Sequence, residues 1–242
     1  MLFRSLLAAL EALPIRVQGR ICLDGGISTG GFSDCLLQHG AQRVYGIDVG
    51  YGQTAWSLRT DARVVLRERT NLRHLQPADL YGPGDPWPDL AVADVSFISL
   101  TRVLPALRGL LRQGQQPRWP AGADPVVDAK AEGRPAQACS SAAAPAMDPP
   151  AEPEAVLLVK PQFEVGRERV GKGGVVRDPR AHRDAILTVI EAAGQLAWAP
   201  AGLVASPITG PAGNHEYLLW LREPSALDAA ATPVLTEARV NA

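Results

Sequence analysis

The stretch Leu23-Asp-Gly-Gly-Ile-Ser-Thr-Gly-Gly-Phe32, LDGGISTGGF, puts four glycines, a serine and a threonine directly after the apolar run Ile21-Cys22-Leu23. A buried strand that ends in an acid and then runs through glycines into an amphipathic segment (32–38) is the pattern of the first strand-turn-helix unit of a nucleotide-binding sheet. So few side chains let the backbone come close to something, and the rest of the chain has to say what.

Working outward, apolar runs recur at intervals too long for hairpins: RICLD (20–24), RVYGID (43–48), RVVLRE (63–68), DLAVADVSF (89–97), AVLLVKP (155–161) and EYLLWLR (216–222). Amphipathic stretches at 32–38 and 182–193 lie between some of them. Continuous rather than alternating apolar runs belong to strands covered on both faces, so the spacing predicts an α/β fold with a doubly wound, mostly parallel sheet. Ligands of such sheets bind beyond the carboxyl ends of the strands.

Two segments interrupt this rhythm. Residues 114–154 hold eight Pro and eleven Ala, and 223–242 are similarly poor in large apolar residues. Neither can bury enough apolar surface to offset the entropy of ordering, so both are expected to be disordered, leaving one domain over 1–222. With 46% hydrophobic residues the chain can bury a sizeable core. No apolar run is long enough to span a bilayer and no export signal is recognised near Met1, which predicts a cytoplasmic protein without a membrane partner. The cysteines Cys22, Cys35 and Cys139 form no CxxC pair, and His39, His74, His182 and His215 have no ligand spacing, so no metal is expected. Trp56, Trp198 and Trp220 are expected in the core.

The glycines Gly25, Gly26, Gly30 and Gly31 do not fit G-x-G-x-x-G, and no Gly-Lys-Ser/Thr follows, which argues against a dinucleotide and a P-loop. Asp24 would repel phosphate oxygens and suits an ammonium instead. Asp48 ends the second strand, where a carboxylate can accept both ribose hydroxyls of an adenosine. The loop thus favours an amino acid joined to adenosine. Asp94, Lys160 and Glu216 stand near the ends of three further apolar runs, and all three reach one sheet edge only if the last strand runs antiparallel. Acids and a lysine gathered there are candidates for proton handling.

Taken in order, the motifs STGGF, DVGYGQ.AW.LR, ERTN.RHL, DVSFISL, VKPQFE.GRERVGKGGVVRD and GP.GNHEYLLWL, over about 7–113 and 154–222, resemble those of the hemolysin A (TlyA) family of ribosomal RNA 2′-O-methyltransferases within the FtsJ-like group. The resemblance implies a Rossmann-like methyltransferase fold, S-adenosyl-L-methionine as donor, and ribose hydroxyls of ribosomal RNA or ribosomal subunits as acceptors. It places the cofactor loop on Asp24, Gly25, Gly26, Ser28, Thr29, Gly30, Gly31 and Phe32. Asp48 becomes the ribose acid, Tyr51 and Asn71 further cofactor contacts, and Asp94, Lys160 and Glu216 the catalytic groups, with Asp94 also beside the cofactor.

Three departures qualify this. Where the family has a further catalytic lysine in SRGG.KL, this chain reads MLFRSLL, and it is expected to lack the small RNA-binding domain that family members carry before that segment. Ile27 stands where a small residue is usual and is expected to crowd the cofactor. An active methyltransferase and a cofactor- or RNA-binding remnant therefore both remain. Net charge is −1, but the two atypical segments carry −3 and −2 and the remainder +4, with five Arg against two acids at 59–73 and seven Lys/Arg against three acids at 160–183.

Overall fold

A computed structural model of the chain describes residues 2–113 and 152–224. Residues 114–151 and 225–242, which include most of both segments expected to be disordered, lie outside the described residues. The strands are β1 Ile21–Gly25, β2 Arg43–Ile47, β3 Val64–Arg67, β4 Leu90–Ala93, β5 Glu154–Val159, β6 Ala199–Ala205 and β7 Tyr217–Arg222. The helices are α1 Leu2–Ala12, α2 Gly31–Gln38, α3 Trp56–Arg59, α4 Pro77–Leu80, α5 Leu104–Leu110, α6 Pro161–Glu164 and α7 Pro179–Gly194.

The strands form one sheet in the order β3-β2-β1-β4-β5-β7-β6, in which β3 to β5 are parallel and β7 is antiparallel to β5 and β6. The sheet is thus doubly wound and mostly parallel, with the last strand reversed as the sequence requires. β6 is an addition to the strands read from sequence. Its Pro200 and Gly202 flank a register irregularity, which an edge strand tolerates because one side needs no ladder partner.

Successive strand residues face opposite ways, so each central strand feeds two cores. Leu23, Tyr45 and Leu157 pack with Leu104, Leu107, Ile186 and Val189 from α5 and α7. Cys22, Val44, Val92 and Leu158 pack with Leu6, Ala9, Phe32 and Leu36 from α1 and α2. Each fully buried leucine contributes about 1.5–3 kcal/mol. Both clusters thus hold the sheet rigid beneath its carboxyl edge. Trp198 and Trp220 are buried as expected, but Trp56 is 77% exposed. It opens the single-turn helix α3, which presents it to solvent.

At the opposite edge the buried Arg20 guanidinium joins three strands: Nε lies 2.8 Å from Asp89 Oδ1 and Nη1 2.7 Å from Glu154 Oε2. Main-chain bonds from Arg112 N to Pro88 O (2.8 Å) and from Glu154 N to Asp89 O (3.0 Å) fix the chain on either side of 114–151. Glu154, the last residue of the 114–154 segment, opens β5, and the carboxylate of Glu223, the first residue of 223–242, pairs with Arg108. Among the described residues no helix is long and apolar enough to cross a membrane.

Most of the glycines of the opening stretch are closed in by the protein's own atoms. A Cβ on Gly25 would meet Leu72 at 2.7 Å, one on Gly30 would meet Leu58 at 2.0 Å, and one on Gly31 would meet Leu2 at 2.9 Å. Gly26 is the most constrained: φ is +87° and a Cβ would lie 2.5 Å from the Asp94 carbonyl oxygen. Gly26→Ala should therefore lower stability by about 2–4 kcal/mol, through a left-handed backbone and a backbone clash that cannot rotate away. Thermal melting checks this, and an unchanged midpoint would show that the turn relaxes without cost.

Candidate active site

Asp24, Asp48, Asp94, Lys160 and Glu216 all lie at the carboxyl edge of the parallel strands. Asp24 is inside β1, Asp48 and Asp94 directly follow β2 and β4, and Lys160 follows β5. Glu216 precedes the antiparallel β7. The register pairs Val159 with Tyr217, so one step further it sets Lys160 across from Glu216.

Asp24 is fully buried. Its Oδ2 accepts a 2.6 Å hydrogen bond from Ser33 Oγ on α2, while its Oδ1 is buried with no hydrogen-bond partner. Burial, partly offset by the Ser33 bond and reinforced by Asp94 and Asp48, pushes its carboxyl up to about 7. An orphaned buried acceptor of this kind is what an ammonium would satisfy. The carboxylate of Asp48 receives Ser28 N on Oδ2 (2.7 Å) and Gly50 N on Oδ1 (2.6 Å), tying the glycine loop to the loop after β2. Each oxygen retains acceptor capacity for a further donor.

The second half of the site is a buried ion pair. Lys160 Nζ lies 2.6 Å from Asp94 Oδ1 and donates to Ser96 Oγ at 2.8 Å. Asp94 Oδ1 is otherwise buried without a hydrogen-bond partner, so the close ammonium charge is what compensates it. Burial raises the Glu216 carboxyl, Lys160 draws it down, Asp94 raises it again, and a Gln162 hydrogen bond lowers it. A Cβ on Gly210 would lie 2.6 Å from Glu216 Oε1, so the glycine lets that loop close over the acid. The DVSFIS loop is braced from α6: Glu164 accepts from Ser99 Oγ (2.6 Å) and Leu100 N (2.8 Å), and the Phe97 and Phe163 rings pack 5.3 Å apart. Phe97 is 92% exposed and adopts φ 64°, a left-handed backbone that a bulky residue holds only when its loop is fixed.

A family model for the FtsJ-like methyltransferase matches residues 5–223. The chain belongs to the FtsJ-like methyltransferase family. It is 47% identical over 218 residues to the 16S/23S rRNA (cytidine-2'-O)-methyltransferase TlyA of Mycobacterium tuberculosis, covering 90% of this chain and 66% of that protein. This chain thus spans just under two thirds of the length of that relative. A Lactococcus lactis crystal structure described as a candidate hemolysin superposes with TM-score 0.72 at 37% identity, covering 92% of this chain and 86% of that one. Aeropyrum pernix fibrillarin, solved with bound S-adenosyl-L-methionine, shares the fold alone, at TM-score 0.50 and 15% identity over 91% of this chain and 75% of that one.

Within this FtsJ-like domain the residues expected from sequence fall into three groups. Asp24, Asp48, Asp94, Lys160 and Glu216 share the edge, with Ser28 tied to Asp48. Gly25, Gly26, Gly30 and Gly31 shape the turn by admitting neighbouring protein atoms. Thr29 is exposed, and its carbonyl accepts from Ala55 N. Phe32, Asn71 and Tyr51 are placed differently from a shared cradle. The Phe32 ring is buried with α1 and α2 because its position on the inner face of α2 directs it into the core. Asn71 is exposed and accepts from Arg73 N as a cap. Tyr51 is 64% exposed, with the Arg69 guanidinium 4.1 Å from its ring centroid. Ile27 does not project into open space above the loop: it is buried, and its Cδ1 occupies the volume that a side chain at Gly46 would need. Ser5, in the segment that departs from the family, is buried on α1 with its Oγ 3.0 Å from Ser206 Oγ, while Arg4 is exposed. Sequence reasoning missed Ser33, Ser96, Gln162 and Glu164, whose importance comes entirely from long-range contacts.

Proposed function

We propose that this chain catalyses transfer of a methyl group from S-adenosyl-L-methionine to a ribose 2′-hydroxyl of ribosomal RNA. The observation that carries the reading is the buried Asp94–Lys160 pair, 2.6 Å apart, with Glu216 in register opposite the lysine. The orphaned Asp24 oxygen fits the cofactor's ammonium, and Asp48, held by two backbone donors, fits its ribose. When bound, the cofactor supplies an electrophilic methyl on a sulfonium.

A ribose hydroxyl is a poor nucleophile near neutral pH. The Lys160 ammonium, anchored by Asp94 and Ser96, orients that hydroxyl and stabilises the negative charge that develops on its oxygen as its proton leaves. The hydroxyl proton passes to the carboxylates around Lys160 and then to water. Glu216, raised by burial, is the acceptor whose affinity for a proton best suits that relay. The assembled pair favours turnover over the remnant reading. Cytoplasmic location and ribosomal subunits as partners follow from the acceptor.

Calorimetric titration with S-adenosylhomocysteine tests the first half of this proposal. Binding is expected for the parent chain, and Asp48→Ala should weaken it by about 1–3 kcal/mol through loss of a charge-assisted acceptor. Tight NAD binding without response to the sulfur nucleoside would refute it. Tritium transfer from labelled donor to ribosomal subunits tests the second half.

A further inference from the structure

We propose that Tyr51, Trp56, Arg59 and Arg69 form a stacking shelf for unpaired RNA bases beside the catalytic edge. The inference rests on the RNA acceptor proposed above but assigns it a surface that neither the ion pair nor the cofactor loop requires.

Three of the five exposed large apolar side chains of the described residues fall in one short stretch, Phe97 and Leu187 being the others. Val49 is 70%, Tyr51 64% and Trp56 77% exposed. These residues follow β2 on the side of the site where Asp48 lies. Trp56 and Arg59, three apart on α3, project on one side of it. Arg59 in turn lies 5.9 Å from the Tyr51 ring centroid and Arg69 lies 4.1 Å from it. Tyr51 thus lies between two guanidiniums, and Trp56 stands three residues from Arg59 on α3, which brings together aromatic faces and guanidinium planes, both of which stack on bases.

The patch is held, not loose. Arg69 adopts φ 53°, which non-glycine residues take only under constraint. Its N bonds to Gly50 O at 3.0 Å, and Thr70 N bonds to Asp48 O at 2.8 Å, so the loop carrying Arg69 is stitched to the one carrying Tyr51. Glu68 receives Gly52 N at 2.8 Å and pairs with Arg59.

Charge selects the occupant. Residues 59–73 hold five Arg and two acids. Both acids are committed, Glu68 to Arg59 and Asp61 to Arg63. Arg67, Arg69 and Arg73 are left in excess, all exposed. A protein partner's apolar groove would not call for three unneutralised guanidiniums, whereas phosphates flanking stacked bases would.

The test is fluorescence anisotropy with the full chain and a labelled twelve-nucleotide single-stranded RNA, compared with the same RNA in a duplex. Trp56→Ala should weaken single-strand binding by about tenfold, the loss that one stacked base produces, with little change on the duplex. Arg69→Ala should reduce the dependence of log affinity on log salt by about one. Affinity for S-adenosylhomocysteine should be unchanged in both variants. Unchanged single-strand affinity in Trp56→Ala, or an equal loss on duplex, would overturn the shelf. So would a marked loss of S-adenosylhomocysteine affinity in Trp56→Ala, which would assign that ring to the cofactor. If the parent chain binds RNA through Trp56 yet transfers no methyl group, the shelf stands and the catalytic proposal falls. Methyl transfer by a Trp56→Ala variant with parental RNA affinity overturns the shelf alone.

Discussion

Lys160→Ala is expected to lower methyl transfer by about 10²–10⁴-fold, the contribution typical of one positioned proton-handling group. The lysine touches Asp94 and Ser96, at the acceptor side of the edge, and makes no contact with Asp24 or Asp48. S-adenosylhomocysteine affinity should therefore stay close to that of the parent. Stability needs separate control. A buried ion pair contributes little net stability, but removing one partner leaves the other charge uncompensated, at a cost of about 3–5 kcal/mol. Lys160→Arg keeps the charge while its planar fork cannot occupy the ammonium's place between Asp94 and Ser96. It should recover melting temperature without recovering turnover. Parental rates of tritium transfer in Lys160→Ala would disprove the mechanism even if cofactor binding were intact.

Cofactor affinity should rise with pH through neutrality, and Asp24 is the cause. Its carboxyl is held near 7 in the folded chain against an ordinary value of 3.8, because full burial penalises the ionised form. Without cofactor, the folded chain therefore binds this proton more tightly than the unfolded chain does. The stabilising contribution of the neutral acid is complete below the unfolded value and is lost as pH rises through about 7. An incoming ammonium reverses the preference, since it needs the carboxylate. Between about pH 5 and 7 binding should expel up to one proton, and affinity should gain up to about tenfold per pH unit before levelling. Calorimetry in buffers of different ionisation enthalpy measures that release directly. Asp24→Asn should abolish both the proton release and most of the affinity. A flat affinity profile with no proton exchanged would mean that Asp24 does not meet the ammonium.

What could be read from the sequence divides along a physical line. Strands covered on both faces announce themselves as apolar runs, and the polar residue that ends each run must sit at an edge. Asp48, Asp94 and Lys160 are legible that way, and the reversed last strand follows from requiring Glu216 to join them. β6 escaped because Pro200 and Gly202 mask an edge strand whose packing on β7, rather than its propensity, makes it a strand. Ser33, Ser96 and Glu164 escape because a hydrogen bond between separate elements, nine residues apart for Ser33 and more than sixty for the other two, leaves no periodic trace. The glycines illustrate a subtler limit. Their clustering correctly signals close approach, but Leu72, Leu58, Leu2 and the Asp94 carbonyl are what approach. Trp56 departs from the expectation because composition alone makes a tryptophan a core residue, whereas its helix is too short and too peripheral to bury it.

The anchoring of Arg112 and Glu154 to adjacent carbonyls, Pro88 and Asp89, has a consequence for how such a chain can diverge. The two ends that flank 114–151 are docked side by side at the pole of the sheet farthest from the reacting groups, and Arg20 locks one of them to β1 and β4. With the ends pinned, lengthening the intervening stretch costs only in proportion to the logarithm of its length, about 0.6 kcal/mol for each doubling. That pole can accumulate insertions and deletions freely over evolutionary time, while the opposite pole, where Leu72, the Asp94 carbonyl, Leu58 and Leu2 close on Gly25, Gly26, Gly30 and Gly31, admits almost none.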